Sequence, residues 1–145
     1  LQGVRKFCLV NSEENKTISA DRAEGFREAF EDLSGVRTGV VYTADSTEEE
    51  GRRAAAAFLE VGMAFIASDG TVARGIYKAA EAAGLDPLRD IIIYSLGEDN
   101  AGIGIPWKFA RQDYRKLGEI ATEILIGEIN GDTEVKQICT DCFVV

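Results

Sequence analysis

Met63-Ala-Phe-Ile-Ala-Ser-Asp-Gly-Thr-Val-Ala-Arg-Gly-Ile-Tyr-Lys-Ala-Ala-Glu-Ala-Ala-Gly84 reads as a strand running straight into a helix. Residues 63–67 form a short, continuously apolar run, as expected of a strand covered on both faces. Asp69 follows the run and can cap the next helix through its carboxylate. Residues 72–83 are rich in alanine, and Gly84 supplies the stop. A second apolar run follows at residues 91–94. Together these segments predict one β-α-β unit.

The same alternation extends toward the amino terminus. Residues 4–10 and 36–42 are further short apolar runs with β-branched residues. Between them, residues 20–33 place Ala23, Phe26, Ala29, Phe30 and Leu33 on one helical stripe, with Ser19 as the expected cap. Thr47 followed by Glu50 reads as a capping box opening a helix to about Glu60. Residues 113–126 carry another stripe: Leu117, Ile120, Ala121, Ile124 and Leu125. Repeated β-α-β order predicts an α/β fold: a three-layer, Rossmann-like parallel sheet with helices on both faces. Ligands of such sheets lie beyond the carboxyl ends of the strands. Here those ends fall at residues 11–19, 43–46, 68–71 and 97–100, all polar or glycine-containing.

Composition narrows the chemistry. The 145 residues carry a formal net charge of −9, which argues against phosphate-backbone contact by this segment. There is no histidine, so Ser-His-Asp and Cys-His catalysis and most catalytic zinc sites are excluded. No two carboxylates pair at a recognisable spacing, and the chain reads as a binding module, not an enzyme. No apolar run approaches the roughly 18 residues of a transmembrane helix, so no membrane contact is expected. Gly102-Ile-Gly104 is followed by Pro106 and lacks the third glycine of a dinucleotide fingerprint, so no cofactor is expected. The three cysteines are Cys8, Cys139 and Cys142. Cys139-Thr-Asp-Cys142 has redox or half-zinc spacing, but no second pair completes a metal site, and ordinary cysteines in or beside a terminal strand are the expected reading. The chain starts at Leu1, not Met, so it is expected to be part of something longer.

Three segments carry candidate binding groups. In Ser19-Ala-Asp-Arg-Ala-Glu-Gly-Phe26, Arg22 is expected in the first helical turn, where a cation opposes the helix dipole. That placement fits a guanidinium kept for hydroxyl or carboxylate recognition, or a surface arginine near Asp21. Asp69 reads as a cap that can also meet a ligand. Asp99 falls just past a strand end, where a carboxylate can accept two hydroxyls.

Taken in order, these segments resemble the LacI/GalR family of repressors. Ser19-x-x-Arg22-x-x-Gly25-Phe26 begins the match. The stretch from Asp69 through Ala73 and Gly75 to Gly84 is similar to its "ND-x-x-A-x-G … G" segment. Pro87, Asp90-Ile91, Gly97 and Asp99 are similar to "P-x-D-I-x-V-x-G-x-D-(D/N)". Gln112 to Gly118 and Glu123 to Gly131 look like its later helix. The resemblance implies the second lobe of a two-lobed, periplasmic-binding-protein-like effector domain. It places that lobe at 1–111 and a crossover helix with terminal strands at 112–145, the helix packing on a first lobe outside this chain. It also implies Arg22, Asp69, Asp99, Gln112 and Tyr114 as ligand contacts, for a sugar or a purine. Ile103, Ile105 and Trp107 become candidates for a homodimer interface, or for a buried loop. DNA would be met only through a headpiece outside this chain, in the cytoplasm. A periplasmic sugar-binding protein of an ABC transporter shares the fold and is the alternative. Departures are Trp107 to Arg111, which replaces the usual hydrophobic-Thr-Thr approach to the crossover, and Glu98, where an aromatic is common.

Overall fold

The computed structural model describes residues 3–97, 107–135 and 138–144. Six strands and four helices follow in the order β1 (Lys6–Asn11), α1 (Thr17–Glu28), β2 (Arg37–Tyr42), α2 (Glu48–Ala56), β3 (Met63–Ala67), α3 (Gly70–Ala82), β4 (Ile92–Ser95), β5 (Lys108–Gln112), α4 (Tyr114–Ile129) and β6 (Cys142–Val144). They build one sheet ordered β2-β1-β3-β4-β5-β6. All pairings are parallel except β5 with β6, which is antiparallel. The expected α/β sheet is present, with β5 and β6 as additions to the four strands read from apolar runs. Lys108-Phe-Ala-Arg-Gln112 carries too much charge to show as such a run.

Side-chain alternation sorts the core into two layers. Cys8 and Val10 of β1, Phe65 of β3 and Ile93 of β4 face one way, into α2 and α3. Leu9 and Ile66 face the other way, against Ala23 and Phe26 of α1. On the first face, α2 and α3 cross at two glycines. A Cβ on Gly75 would stand 2.2 Å from the carbonyl oxygen of Glu48, and one on Gly51 would stand 2.5 Å from that of Val72. Only hydrogen fits at this crossing. The α1 face is less covered. On this face an apolar hollow of about 430 Å³ is bounded by Phe7, Phe30, Ile66, Tyr94 and Leu96.

Several helix ends differ from expectation. α1 starts at Thr17, so Ser19 is not its cap; the Ser19 hydroxyl is held by Ser12 instead. After Glu28 the chain tightens into i→i+3 bonds through Phe30 and Leu33, and Leu33 is exposed, not on the buried stripe. Thr47 caps α2 by accepting from the Glu50 amide, but the Glu50 carboxylate turns to the amide of Ala44. α2 stops at Ala56, and Glu60 is instead paired with Lys6 and Arg37 at the strand starts. Asp69 caps α3, and Gly84 follows it with φ of +76°. α4 is capped by Asp113 and buries none of its residues; Leu125, Ile126 and Ile129 are all exposed. Of its apolar stripe, Leu117, Ile120 and Ile124 are half-buried and Leu125 is exposed.

Candidate functional site

The described residues with buried polar side chains are Asn11, Ser12, Ser19, Thr43, Ser68 and Ser95. All lie at, or just beyond, the carboxyl ends of β1 to β4. Buried polar groups need partners, and these have them. The Asn11 amide nitrogen donates to the Ser19 carbonyl at 2.7 Å, and its oxygen accepts from the Ser12 amide at 3.1 Å. The Ser12 and Ser19 hydroxyls are 2.8 Å apart. The Thr43 hydroxyl donates to the Asn11 carbonyl at 3.0 Å, tying the end of β2 to that of β1. This network welds the first loop to the start of α1 and leaves few options for how α1 leaves the sheet.

Arg22 stands on that platform. It lies in the second turn of α1, not the first, because the helix begins earlier than its apolar stripe. Its Nη1 donates to the Ser12 hydroxyl at 3.4 Å. Burial pulls the Arg22 guanidinium below its usual value, and the charge of Asp69 pushes it back up. The guanidinium still carries its charge. It is half-buried, with donors left for a ligand.

Asp69 reaches the same edge from the other side. One oxygen caps α3 by accepting from the Val72 amide at 2.9 Å, and the other accepts from the Ser68 hydroxyl at 3.1 Å. Each carboxylate oxygen has a second lone pair, so the cap and a ligand contact are compatible. Gly97 neighbours Asp69: a Cβ there would lie 4.0 Å from the Asp69 Cα, an ordinary contact. The Ser95 hydroxyl donates to the Gly97 carbonyl at 2.6 Å, which fixes the turn after β4.

Arg22 and Asp69 thus stand at the same edge of the sheet, Arg22 in α1 and Asp69 at the start of α3. Gln112 ends β5 at the same sheet edge, two strands along from Asp69, and is exposed. Tyr114 opens α4 and is 57% exposed. Asp99, Ile103 and Ile105 lie outside the described residues. Trp107 packs on Tyr77 of α3, with ring centroids 6.0 Å apart, and contributes to the core of the α2–α3 face. Asn11, Ser12 and Thr43 are not singled out by the sequence, and Ser19 is read there as a helix cap, not as part of a buried network. Their only signal is position at a strand end, since short polar residues in loops are common.

Together these features define an α/β lobe whose carboxyl edge offers a cation and a carboxylate over a buried hydroxyl network. The chain belongs to the periplasmic binding protein-like domain family, whose sequence profile matches residues 2–140. Solved structures agree in fold. A dimeric Lac repressor with an 11-residue C-terminal deletion is 19% identical, with a TM-score of 0.84, over 99% of this chain and 54% of that one. A LacI family transcriptional regulator from Bifidobacterium animalis subsp. lactis is 22% identical, with a TM-score of 0.82, over 99% and 54%. The periplasmic binding component of the arabinose ABC transporter from Shewanella sp. ANA-3, bound to arabinofuranose, is 22% identical, with a TM-score of 0.80, over 99% and 51%. The chain spans about half the length of these structures. No curated protein matches. Among the described residues, no helix is long and apolar enough to cross a membrane.

Proposed function

We propose that this chain is the effector-sensing second lobe of a cytoplasmic, LacI-type transcriptional regulator. Residues 1–111 form the lobe, and 112–145 cross to the first lobe and return. A small neutral ligand of the sugar or nucleobase class occupies the interlobe cleft. Arg22 donates to its hydroxyl or carbonyl groups, and Asp69 and Asp99 accept from its donors. Gln112 and Tyr114 line the hinge side, with Tyr114 offering an apolar face. Closure on the ligand is coupled to a DNA-reading headpiece on a homodimer, with Ile103, Ile105 and Trp107 the candidates for the subunit contact. The observation that carries this reading is the buried Asn11, Ser12 and Ser19 network at the strand ends, with Arg22 standing on it and Asp69 capping α3 at the same sheet edge. The exposed Leu125, Ile126 and Ile129 of α4 support a further lobe as its packing partner.

The test is calorimetry on the intact parent chain with a panel of monosaccharides and purines, followed by operator binding with and without each ligand found. Ligand binding that is lost in Asp99→Ala and that shifts DNA affinity is expected. Wild-type affinity in that variant removes the assignment. Sugar binding in a chain with no DNA affinity favours the transport-receptor reading, which the fold of the arabinose-binding relative also supports.

A further inference from the structure

Cys139 and Cys142 are both exposed, whereas Cys8 is fully buried in β1. The two exposed thiols sit where the chain returns from α4 to the sheet. Cys142 is the first residue of β6 and pairs with Gln112, the last residue of β5. The next residue, Asp113, caps α4. Outgoing and returning chain therefore lie side by side at this point. Cys139 lines a cavity of about 250 Å³ shared with Asp113 and Lys116 from the start of α4, and with Thr140, Asp141 and Phe143. Among the described residues, no group of three or more Cys, Asp or Glu side chains could hold a metal ion.

We infer that Cys139 and Cys142 form a reversible dithiol–disulfide pair at this crossing, exchanged by a low-molecular-weight disulfide such as oxidised glutathione. The Cys139 thiolate attacks one sulfur of the disulfide, and the first glutathione thiolate leaves. The Cys142 thiolate then attacks the Cys139 Sγ in the mixed disulfide and expels the second. One protein disulfide forms, one small disulfide is reduced to two thiols, and the two protons released by the cysteines reside on the products. Both thiols are exposed, and the open cavity beside Cys139 leaves it within reach of the reagent.

The bond has a structural consequence. Three residues of extended chain span roughly 10 Å. A disulfide holds its two Cα atoms about 4.4–6.8 Å apart. Closing the pair folds residues 139–142 into a turn and shortens the returning segment. The ladder with β5 is only three residues long, Ala110 to Gln112 against Cys142 to Val144, so the Gln112 end gives first.

The experiment uses the 145-residue chain. It is equilibrated with reduced and oxidised glutathione, acid-quenched and weighed by mass spectrometry. The expected product is a monomer lighter by two hydrogens, reversed by dithiothreitol, with Cys8 still reduced. Cys142→Ser should stop at a glutathione adduct on Cys139, which shows the order of attack without depending on stability. Hydrogen exchange should be faster around Gln112 in the oxidised form. Persistent double adducts, only intermolecular dimers, or no reaction at all would each overturn the inference.

Discussion

Arg22 and Asp69 reach one sheet edge from opposite faces, Arg22 on the α1 side and Asp69 at the start of α3. The charge of Asp69 helps to keep the half-buried guanidinium ionised. Both stand at the carboxyl edge of the sheet, where the proposed ligand would meet a donor from one face and an acceptor from the other.

Arg22→Ala in the intact parent should weaken ligand binding by about 1.5–3 kcal/mol, the usual worth of a hydrogen bond to a charged group. That corresponds to roughly 10- to 150-fold in Kd. Titration calorimetry on a variant with an unchanged melting curve checks it. An unaltered Kd would leave Arg22 as a surface arginine.

Asp69 serves two purposes that substitution can separate. Asp69→Ser keeps a capping oxygen for the Val72 amide, so stability should change by only a few tenths of a kcal/mol. Asp69→Ala loses the cap and should cost about 0.5–2 kcal/mol. Both remove the carboxylate, and both should lose ligand. If Asp69→Ser binds normally, the residue is a cap and nothing more.

Asn11→Ala should destabilise the lobe even though Asn11 touches no ligand in this reading. It leaves the buried Ser12 amide without a partner and takes one of two donors from the Ser19 carbonyl, which keeps its helical bond in α1. An orphaned buried amide costs about 1–3 kcal/mol. Urea denaturation with an unchanged m-value measures it, and a midpoint equal to wild type would contradict the network.

Two glycine substitutions should have opposite signs. Gly75→Ala drives a methyl group into the backbone of α2, including the Arg52 amide 2.7 Å away, and overpacking of this kind costs about 1–3 kcal/mol. Gly25 lies inside α1 with nothing within 4 Å of an added Cβ. Gly25→Ala should therefore stabilise by about 0.5–1 kcal/mol. Paired thermal melts decide both.

Burial pushes the Cys8 thiol from 9.0 up to about 11. The folded state favours the neutral thiol, so its contribution is fully present below pH 9. It is lost as pH rises from 9 toward 11, where the unfolded chain ionises first. A Cys8→Ala variant should lose less stability than wild type over that interval. Parallel slopes in alkaline denaturation would show that Cys8 does not titrate this way.

Much of the architecture was legible because the buried strands are short apolar runs. Met63 to Ala67 needed no context, and Asp69 with Gly84 bracketed α3 closely. β5 was not legible, since an edge strand carrying Lys108, Arg111 and Gln112 does not look buried. The start of α1 was missed by a few residues because Ser19, a good cap by type, is used by Ser12. Arg22 and Asp69 could be nominated from sequence, but not their proximity, which depends on two helices lying on opposite faces. The hydroxyl platform was illegible for a plainer reason: nothing in a serine's neighbours announces that it will be buried.

The glycine crossing of α2 and α3 sets how this lobe can move. With backbone against backbone at Gly51 and Gly75, the two helices have no side-chain layer to slide on. They form a slab, and Asp69 is bolted to its end. Arg22 is anchored as well, through the Asn11, Ser12 and Ser19 bonds at the start of α1. The two charged groups therefore keep a fixed gap, and a cleft that takes ligands of different width has to adjust by movement outside this lobe, which serves as the anvil.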